Sequence, residues 1–578
     1  MRTVAEHLTG LVAAAAAAAG HADAPVPLEP CVATRDAAHG DYQSNFAFRL
    51  GKALRTNPRA VAQAVVDAFP EDAAVAAIEV AGPGFINIRL ASEWLASRVQ
   101  QLADDPRLGA PKPNGRTMVI DYSAPNIAKR MHVAHLRSTV IGAAVHQLYK
   151  WLGWTVIADN HLGDWGTPVG KLIVGWNRYR DEAAYADDPV GELQRLYQRV
   201  TAECASDPEV LDDARAETVK LQRRDPRNIA LWEQFMANTM EELDRVYARL
   251  GVSFDVVLGE SAYKDELQDL VDGLLASGTA VHSKGATVVP FEVSDGKGLT
   301  DRPLLVRKAD GSALYGTTDL ATIRHRVNTW DPERIVYVVD TRQQLHFRQV
   351  FAAARKMGLA GPQLIHVWFG MLSLQGGVVV GTRSGNVINL VDLLDTAAEH
   401  AFGVVTDKSP ELPEDERRAI AEAVGVGAVK YFDLSQNPQS DIEFSWERAL
   451  SHDSGSSVYL QYGYARLHRI LDAGGASVDT PLAALPAVSH PAERALAVLV
   501  ARTPEAIAVA AEAYRPNLLA DHLEQLATAV GPFYQQCPVL KDGVDPQVRA
   551  GRLALVRAVA RALAVGLELL GIRVVSRM

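Results

Sequence analysis

The chain has 578 residues, 48% of them hydrophobic, and a formal net charge of −11. That length argues for several domains with well-filled cores, and the acidic balance excludes a globally basic nucleic-acid binder, so any such contact must come from local positive patches. Cys31, Cys204 and Cys537 lie far apart and never as Cys-x-x-Cys, which fits a reducing, cytoplasmic setting and argues against a disulfide or zinc framework.

Residues 1–20 are rich in alanine and carry Glu6 and His7 early. Alanine favours helix but is weakly hydrophobic, so an N-terminal amphipathic helix is expected rather than a signal peptide. No run of about 18 strongly apolar residues occurs, so no membrane span is expected. Residues 1–110 read as an N-terminal α+β domain, with helical patterns at 1–20, 58–69 and 92–103 and strand-like runs at 77–82 and 85–90. Within it, residues 40–58 gather Tyr42, Asn45, Arg49, Lys52 and Arg55. This is either a solvated helix face with an aromatic staple or an RNA-backbone contact whose aromatics stack on unpaired bases. The Pro/Gly-rich stretch 105–116 marks a boundary.

From 111 to 390 strands and helices alternate. Candidate strands are 118–122, 155–160, 304–308, 335–340 and 365–370. The pattern predicts an α/β catalytic domain with a Rossmann-like, doubly wound parallel sheet and ligands at the carboxyl ends of its strands. A charged helical insertion occupies about 175–255. Strand signals fade after 391: residues 391–454 read as a helical connecting segment and 455–578 as an all-α domain, with Gly571 placed to cap the last helix.

The segment 123-SAPNIAKRMHVAHLRST-139 follows the first of these strands and opens a helical pattern. Strand, polar loop and helix N-terminus together make a natural phosphate site, because free backbone N–H groups and the helix dipole favour anions. His132 and His135 at that entrance can donate hydrogen bonds to phosphoryl oxygens. Read alone, such a pair is also a surface or half-satisfied core pair; a metal site lacks Cys or carboxylate partners at ligand spacing. The segment 159–172 follows the next strand, and Gly163, Gly166 and Gly170 would allow close backbone approach to a ligand or simply form a turn. Tyr315 and Asp319, four apart, share a face if 314–325 is helical; Thr317 or Thr318 is the expected cap, with Asp319 in the first turn. Near the end, 459–470 interleaves Tyr459, Tyr462 and Tyr464 with Gln461, Arg466, His468 and Arg469, residues that suit either a helical core or a platform for unpaired bases.

The long ungapped string around His132 and His135 resembles the signature of class I aminoacyl-tRNA synthetases, and specifically that of arginyl-tRNA synthetases. The strings 314-LYGTTD-319, 259-GES-261, 340-DTRQQLH-346 and 159-DNHLGDWG-166 are similar to motifs of the same family. The resemblance implies an arginine–tRNA ligase that uses ATP with Mg2+ as substrate, makes arginyl-adenylate and passes arginine to tRNA(Arg), with no tightly bound metal and as a monomer. It implies ATP contacts from His132, His135, Lys129, Gly163 and Asp164, and arginine contacts from Asn126, Glu260, Tyr315, Asp319 and Gln343, with Gln344 as an alternative to Gln343. It implies tRNA contacts from Tyr42, Asn45, Arg49, Tyr459, Gln461, Tyr462, Arg466 and Met578. Two departures stand out. The family's mobile Lys-Met-Ser-Lys-Ser loop corresponds to Gly381, Thr382, Arg383, Ser384 and Gly385, so its second lysine is missing; Thr382, Arg383 and Ser384 remain ATP candidates, and Lys129, joined by Arg130, stands where a lysine substitutes in such members. Ala134 replaces the usual glycine between the histidines. Two other readings of the same residues are a smaller nucleotidyl transferase and a catalytically inert RNA-binding paralogue.

Overall fold

The computed structural model describes residues 2–34, 36–309, 314–374, 378–379 and 389–578. The chain forms two compact units, one of residues 1–112, 405–424 and 450–578, the other of residues 113–404 and 425–449. The first unit begins with α1 (Val4–Ala16). Its start is capped reciprocally, Glu6 N–H to Thr3 Oγ1 at 3.1 Å and Thr3 N–H to Glu6 Oε2 at 2.7 Å, which satisfies two otherwise orphaned donors. Val4, Leu8, Val12 and Ala15 are buried along one face, so the alanine-rich start is an amphipathic helix. There follow β1 (Val32–Ala33), β2 (Tyr42–Ser44), α2 (Phe46–Leu54), α3 (Pro58–Asp67), β3 (Val75–Ala81), β4 (Phe85–Leu90) and α4 (Ser92–Asp104). The four strands pair antiparallel in the order β1-β2-β4-β3.

The second unit opens with β5 (Thr117–Asp121), α5 (Val133–Trp151), β6 (Thr155–Asn160) and α6 (Thr167–Tyr179). The insertion comprises α7 (Glu182–Asp187), α8 (Pro189–Ser206), α9 (Pro208–Gln222) and α10 (Pro226–Leu250). Three of these begin with an Asp-Pro pair: Asp188, Asp207 and Asp225 each accept a first-turn N–H, and the following proline occupies the first helical position, where its missing N–H costs nothing. Then come β7 (Val256–Val257), α11 (Leu267–Ala276), β8 (Val281–Ser283), β9 (Ala286–Val289), β10 (Leu304–Arg307), α12 (Tyr315–Trp330), β11 (Arg334–Asp340), α13 (Gln344–Lys356), β12 (Gln363–Phe369), β13 (Leu372–Leu374) and β14 (Val378–Val379). The helices α14 (Leu390–Lys408) and α15 (Glu414–Leu434) have residues in both units; β15 (Ile442–Phe444) and α16 (Trp446–Ala449) belong to the second. The first unit resumes with α17 (Ser457–Ala473), α18 (Pro491–Glu512), α19 (Pro516–Gln536) and α20 (Pro546–Leu569). Gly571 follows α20 at φ 69°, and its N–H reaches Glu568 O at 2.8 Å while Ile572 N–H reaches Leu567 O at 2.8 Å, a left-handed stop of the expected kind.

The central sheet is parallel, in the order β12-β11-β5-β6-β7. One expected member is absent from it. Residues 304–307 form β10, which pairs antiparallel with β9 in a separate sheet, β10-β9-β8. Leu304 and Val306 are buried while Leu305 is exposed, the alternation of a sheet with one solvated face rather than of a strand covered on both. The fifth parallel strand is β7, two residues long and too short to carry a periodic signal. Helix α12 also begins earlier than expected, at Tyr315 with Leu314 as its cap; Thr317 is spent on a hydrogen bond to Val306 O.

Asp159 on β6 stands in register with Asp121 on β5, and Asp121 with Tyr337 on β11. Arg326 of α12 meets this row: Nη2 donates to Asp121 Oδ2 at 2.6 Å and to Asp159 Oδ2 at 2.8 Å, and the guanidinium lies 5.2 Å from the Tyr337 ring centre. All four side chains are buried. A second buried pair joins Arg137 of α5 to Asp433 of α15 at 3.0 Å, and the same guanidinium donates to Gly370 O, Pro438 O and Ser440 O. Breaking a buried ion network from one side leaves an uncompensated charge. Arg326→Ala is therefore expected to destabilise the second unit by about 3–5 kcal/mol, measured as a lowered calorimetric transition; a change within experimental scatter would contradict this role.

Candidate functional site

The residues between β5 and α5 take an unusual backbone path. Ser123, Ala124 and Ala128 all have positive φ, at 71°, 45° and 58°, a region L-residues adopt only when their surroundings impose it. The surroundings are polar and closely spaced. Ser123 N–H donates to Ser138 Oγ at 2.9 Å, Ala124 N–H to Asn160 Oδ1 at 3.1 Å and Ala128 N–H to Thr239 Oγ1 at 3.0 Å. Ser123 Oγ and Asn160 Nδ2 both reach the Tyr247 hydroxyl, at 2.9 and 3.1 Å. Asn126 pairs through its backbone with Gly163. A Cβ at 163 would stand 2.2 Å from Asn126 Oδ1, so any side chain there would displace this amide.

His132 caps α5 and His135 lies in its first turn, with ring centres 3.9 Å apart. The backbone N–H of His132 donates to His135 Nδ1 at 3.1 Å. That bond makes Nδ1 an acceptor, so the ring proton sits on Nε2, free to donate elsewhere. Burial, then the charge of His132, then that of Lys129 push the His135 pKa down to about 3. Burial, Lys129 and Arg342 push His132 down to about 4. Both rings are neutral donors near pH 7. They face a local cluster of cations and the start of a helix, an arrangement that attracts phosphate without the rings being charged.

The insertion braces this loop. Ile127 and Ala128 pack in one apolar cluster with Trp165, Leu193 and Phe235. Lys129 Nζ lies 3.9 Å from the ring centre of Tyr197 on α8. Arg130 is held by the insertion, with Nη2 on Asp188 at 2.6 Å, Nε near Glu242 at 3.3 Å and its backbone N–H on Gln194 Oε1 at 3.0 Å. Arg130 is thus an anchor to the insertion rather than a second free cation. Tyr197 is a residue that sequence reasoning missed, since a tyrosine on a charged helix far along the chain gives no signal of meeting Lys129.

The acidic side of the site lies on other elements. Asp164 is buried, with Oδ1 accepting Ser261 N–H at 2.9 Å and Oδ2 accepting Ser261 Oγ at 2.6 Å. Both oxygens are thereby committed to holding the turn that begins at Glu260, so Asp164 positions this turn. Glu260 N–H donates to Leu162 O at 3.0 Å. Burial, then the charge of Asp319, then that of Asp164 push the Glu260 pKa up to about 8. Asp319 and Tyr315 project from the first turns of α12, with Tyr315 64% exposed. Gln343 caps α13 and is exposed; Gln344 spends its amide on Thr341 Oγ1 at 2.8 Å, which leaves Gln343 as the available amide. Gly170 serves packing between α6 and α9 instead of ligand approach, since a Cβ there would stand 2.1 Å from Ala214 O. Thr382, Arg383 and Ser384 lie outside the described residues, as do Gly381 and Gly385. Among the described residues, no group of three or more His, Cys, Asp or Glu is arranged to hold a metal ion.

In the first unit, two expected contact residues belong to the core. Tyr42 is fully buried and donates to Glu505 Oε2 at 3.0 Å, so no ring face is open to a base. Gln461 is equally buried, its Nε2 donating to Arg573 O at 2.7 Å and Ala423 O at 3.2 Å. Alternating aromatic and polar residues on a helix face do not reveal which side packs. Asn45 caps α2 and is half-buried, and Arg49 pairs with Glu29. Tyr459 and Met578 are half-buried. Tyr462 is exposed, and Arg466 lies 3.6 Å over the ring of exposed Tyr534.

Three family descriptions match the chain: "Arginyl tRNA synthetase N terminal domain" at residues 6–90, "tRNA synthetases class I (R), catalytic domain" at 98–446, and "DALR anticodon binding domain" at 460–578. The chain is 43% identical to the arginine–tRNA ligase of Frankia casuarinae over 94% of each chain. It is 40% identical to that of Fusobacterium nucleatum over 96% of this chain and 95% of the relative. Among solved structures, Thermus thermophilus arginyl-tRNA synthetase superposes with a TM-score of 0.84 at 25% identity, covering both chains fully. The Plasmodium falciparum arginyl-tRNA synthetase shares the fold, with a TM-score of 0.82 and full coverage of both chains.

The raised Glu260 pKa has a consequence for any cationic ligand of this pocket. A carboxyl half-protonated near pH 8 must ionise to meet a cation, so binding releases a proton and tightens as pH rises toward about 8. Calorimetric titration in buffers of different ionisation enthalpy is expected to show that release at pH 7, and Glu260→Gln to abolish it; identical heats in all buffers would refute the linkage.

Proposed function

Because the chain belongs to the arginyl-tRNA synthetases of class I, we propose that the cleft at the carboxyl ends of β5, β6 and β11 holds ATP at the His132 end and arginine at the Asp319 end. The reaction is the charging of tRNA with arginine. Arginine's carboxylate attacks the α-phosphorus of ATP, the bond to pyrophosphate breaks, and arginyl-adenylate forms. A ribose hydroxyl of the terminal adenosine of tRNA(Arg) then takes the arginyl group and AMP leaves. No enzyme nucleophile is required, so catalysis consists of positioning and of stabilising charge as it develops.

In this reading the neutral Nε2–H of His135, with His132, donates to phosphate oxygens, and Gly163 lets the loop approach the nucleotide. Lys129 meets the charge that builds on the departing pyrophosphate. Tyr197 holds Lys129 at the rim until the phosphates compete for it, because a cation–π contact is weaker than a close anion. ATP enters with its Mg2+ as substrate, since Mg2+ keeps much of its water and binds largely through phosphates. The guanidinium of arginine is planar and permanently charged and calls for carboxylates; Asp319 and Glu260 supply them, with Tyr315 covering the opening. Asn126 and Gln343 take the main-chain ammonium and carboxylate. The exposed Tyr462 and the Arg466–Tyr534 pair form a platform for unpaired tRNA bases, with Asn45, Arg49, Tyr459 and Met578 as further tRNA contacts. The enzyme works as a cytoplasmic monomer; among the described residues no helix is long and apolar enough to cross a membrane.

The observation that carries the substrate assignment is the pair of carboxylates, Glu260 and Asp319, close enough for the charge of one to raise the pKa of the other beside a neutral imidazole phosphate site. ATP–pyrophosphate exchange across the twenty amino acids, with and without tRNA, tests it directly, and exchange driven by another amino acid would overturn it. Asp319→Ala is expected to raise the KM for arginine at least about 30-fold, the effect of removing one partner of a buried charge pair worth about 2 kcal/mol, while the KM for ATP stays within about twofold. Lys129→Ala is expected to slow single-turnover adenylate formation by about 10- to 100-fold, and a wild-type rate would remove Lys129 from the chemistry.

A further inference from the structure

Asp319 does not stand alone in the acidic pocket. His346, in the first turn of α13, places Nε2 2.5 Å from Asp319 Oδ2. The two side chains are partly buried, 27% and 18% exposed. The imidazole is held in turn from its own helix, edge-on to Phe347 with ring centres 5.5 Å apart and planes at 76°. Phe347 packs on the buried Tyr337 ring at 4.8 Å and on His366 at 4.8 Å. The contact therefore runs from the sheet, through Phe347 and His346, to one oxygen of one carboxylate. Among the described residues, no other hydrogen bond reaches the Asp319 carboxylate.

The chemistry suits a bond that orients. Nε2 acts as the donor because a carboxylate can only accept. Burial disfavours the charged ring, but the hydrogen bond to Asp319 and the charge of that carboxylate outweigh it and hold the His346 pKa above the ordinary histidine value. A short charge-assisted bond fixes a carboxylate more firmly than a neutral one. It also occupies one of the two oxygens that a guanidinium could grasp as a fork.

We propose that His346 is a positioning residue of the arginine subsite: it pins Asp319 through Oδ2 and turns Oδ1 alone toward the guanidinium. His346 lies three residues after Gln343, on the same helix. It thus ties the carboxylate that reads the side chain of arginine to the helix whose cap reads its main chain, and sets the distance between the two ends of the substrate. This rests on the assignment of Asp319 to the guanidinium made above.

The test is steady-state aminoacylation by the full chain with its tRNA, with KM measured separately for arginine and for ATP. His346→Ala is expected to raise the KM for arginine about tenfold or more with the KM for ATP within about twofold, and His346→Gln, which keeps a donor at the position of Nε2, to recover most of that loss. His346→Leu keeps the bulk against Phe347 without the donor, and is expected to behave as His346→Ala, so the proposal remains testable if the smaller variant fails to fold. An unchanged arginine KM in His346→Leu, alongside a raised one in Asp319→Ala, would overturn the positioning role and leave the Asp319 assignment standing. Equal rises in both KM values would mark general loss of structure and also overturn it. An unchanged arginine KM in Asp319→Ala would remove the assignment itself, and the inference with it.

Discussion

Arg326 is the interaction on which the catalytic unit turns. Its guanidinium is wholly buried and shared by Asp121 and Asp159, which sit side by side on neighbouring parallel strands. Burial, helped by the charge of Asp159, raises the Asp121 pKa, and the adjacent guanidinium opposes that rise. Removing two carboxylates and a guanidinium from water is costly, and the cost is offset only when each finds its partner at short range. The network meets that condition at 2.6 and 2.8 Å. That arrangement brings together the last residue of β5, the penultimate residue of β6 and the body of α12. The loops that leave β5 and β6 carry Asn126, the histidine pair and Gly163, and the first turns of α12 carry Tyr315 and Asp319. One buried cation thus aligns both ends of the proposed substrate cleft.

The loop after β5 depends on a second kind of constraint. Three non-glycine residues with positive φ within six positions are unfavourable for an isolated chain, at about 1 kcal/mol or more each. They persist because Ser138, Asn160, Thr239 and Gln194, from four different elements, each accept a specific backbone N–H of the loop. Two of those acceptors come from the helical insertion. The insertion is consequently part of the proposed phosphate site: it holds the loop in shape, ties down Arg130 and reaches Lys129 through Tyr197. Neutral histidines follow from the same closeness. Buried rings next to Lys129 and each other cannot carry a charge cheaply, and a neutral donor with its proton on Nε2 is what a developing phosphoryl charge requires.

Much of this was readable in advance where the signal was local. The strand before the loop, the polar loop and the helix after it announced themselves by an apolar run, a cluster of polar residues and a helical spacing; the structure has the strand within one residue of 118–122, while the helix starts at Val133, as soon as His132 has capped it. The strand at 304–307 was legible as a strand but not as a member of another sheet, because pairing partners lie outside the segment. Tyr42 and Gln461 looked like surface residues of an RNA-binding face. Asp41 and Gln43 flank Tyr42, and Leu460 and Tyr462 flank Gln461, but their neighbours in space are Glu505, Ala423 and Arg573, and burial is decided by those.

The order of residues along the chain determined the fold class, the family and the types of side chain available for phosphate and guanidinium, since periodicity, caps and contiguous motifs act within a few residues. Only the tertiary structure decided how those side chains are used. Whether Arg130 is a free cation or an anchor, whether Asp164 meets a ligand or Ser261, whether Lys129 has a companion in Tyr197 and whether Asp319 shares an oxygen with His346 all depend on contacts between segments 27 to 112 residues apart. Electrostatic and hydrogen-bonding energies fall steeply with distance in space and are indifferent to separation along the chain, so these roles exist only once the folded molecule sets the distances.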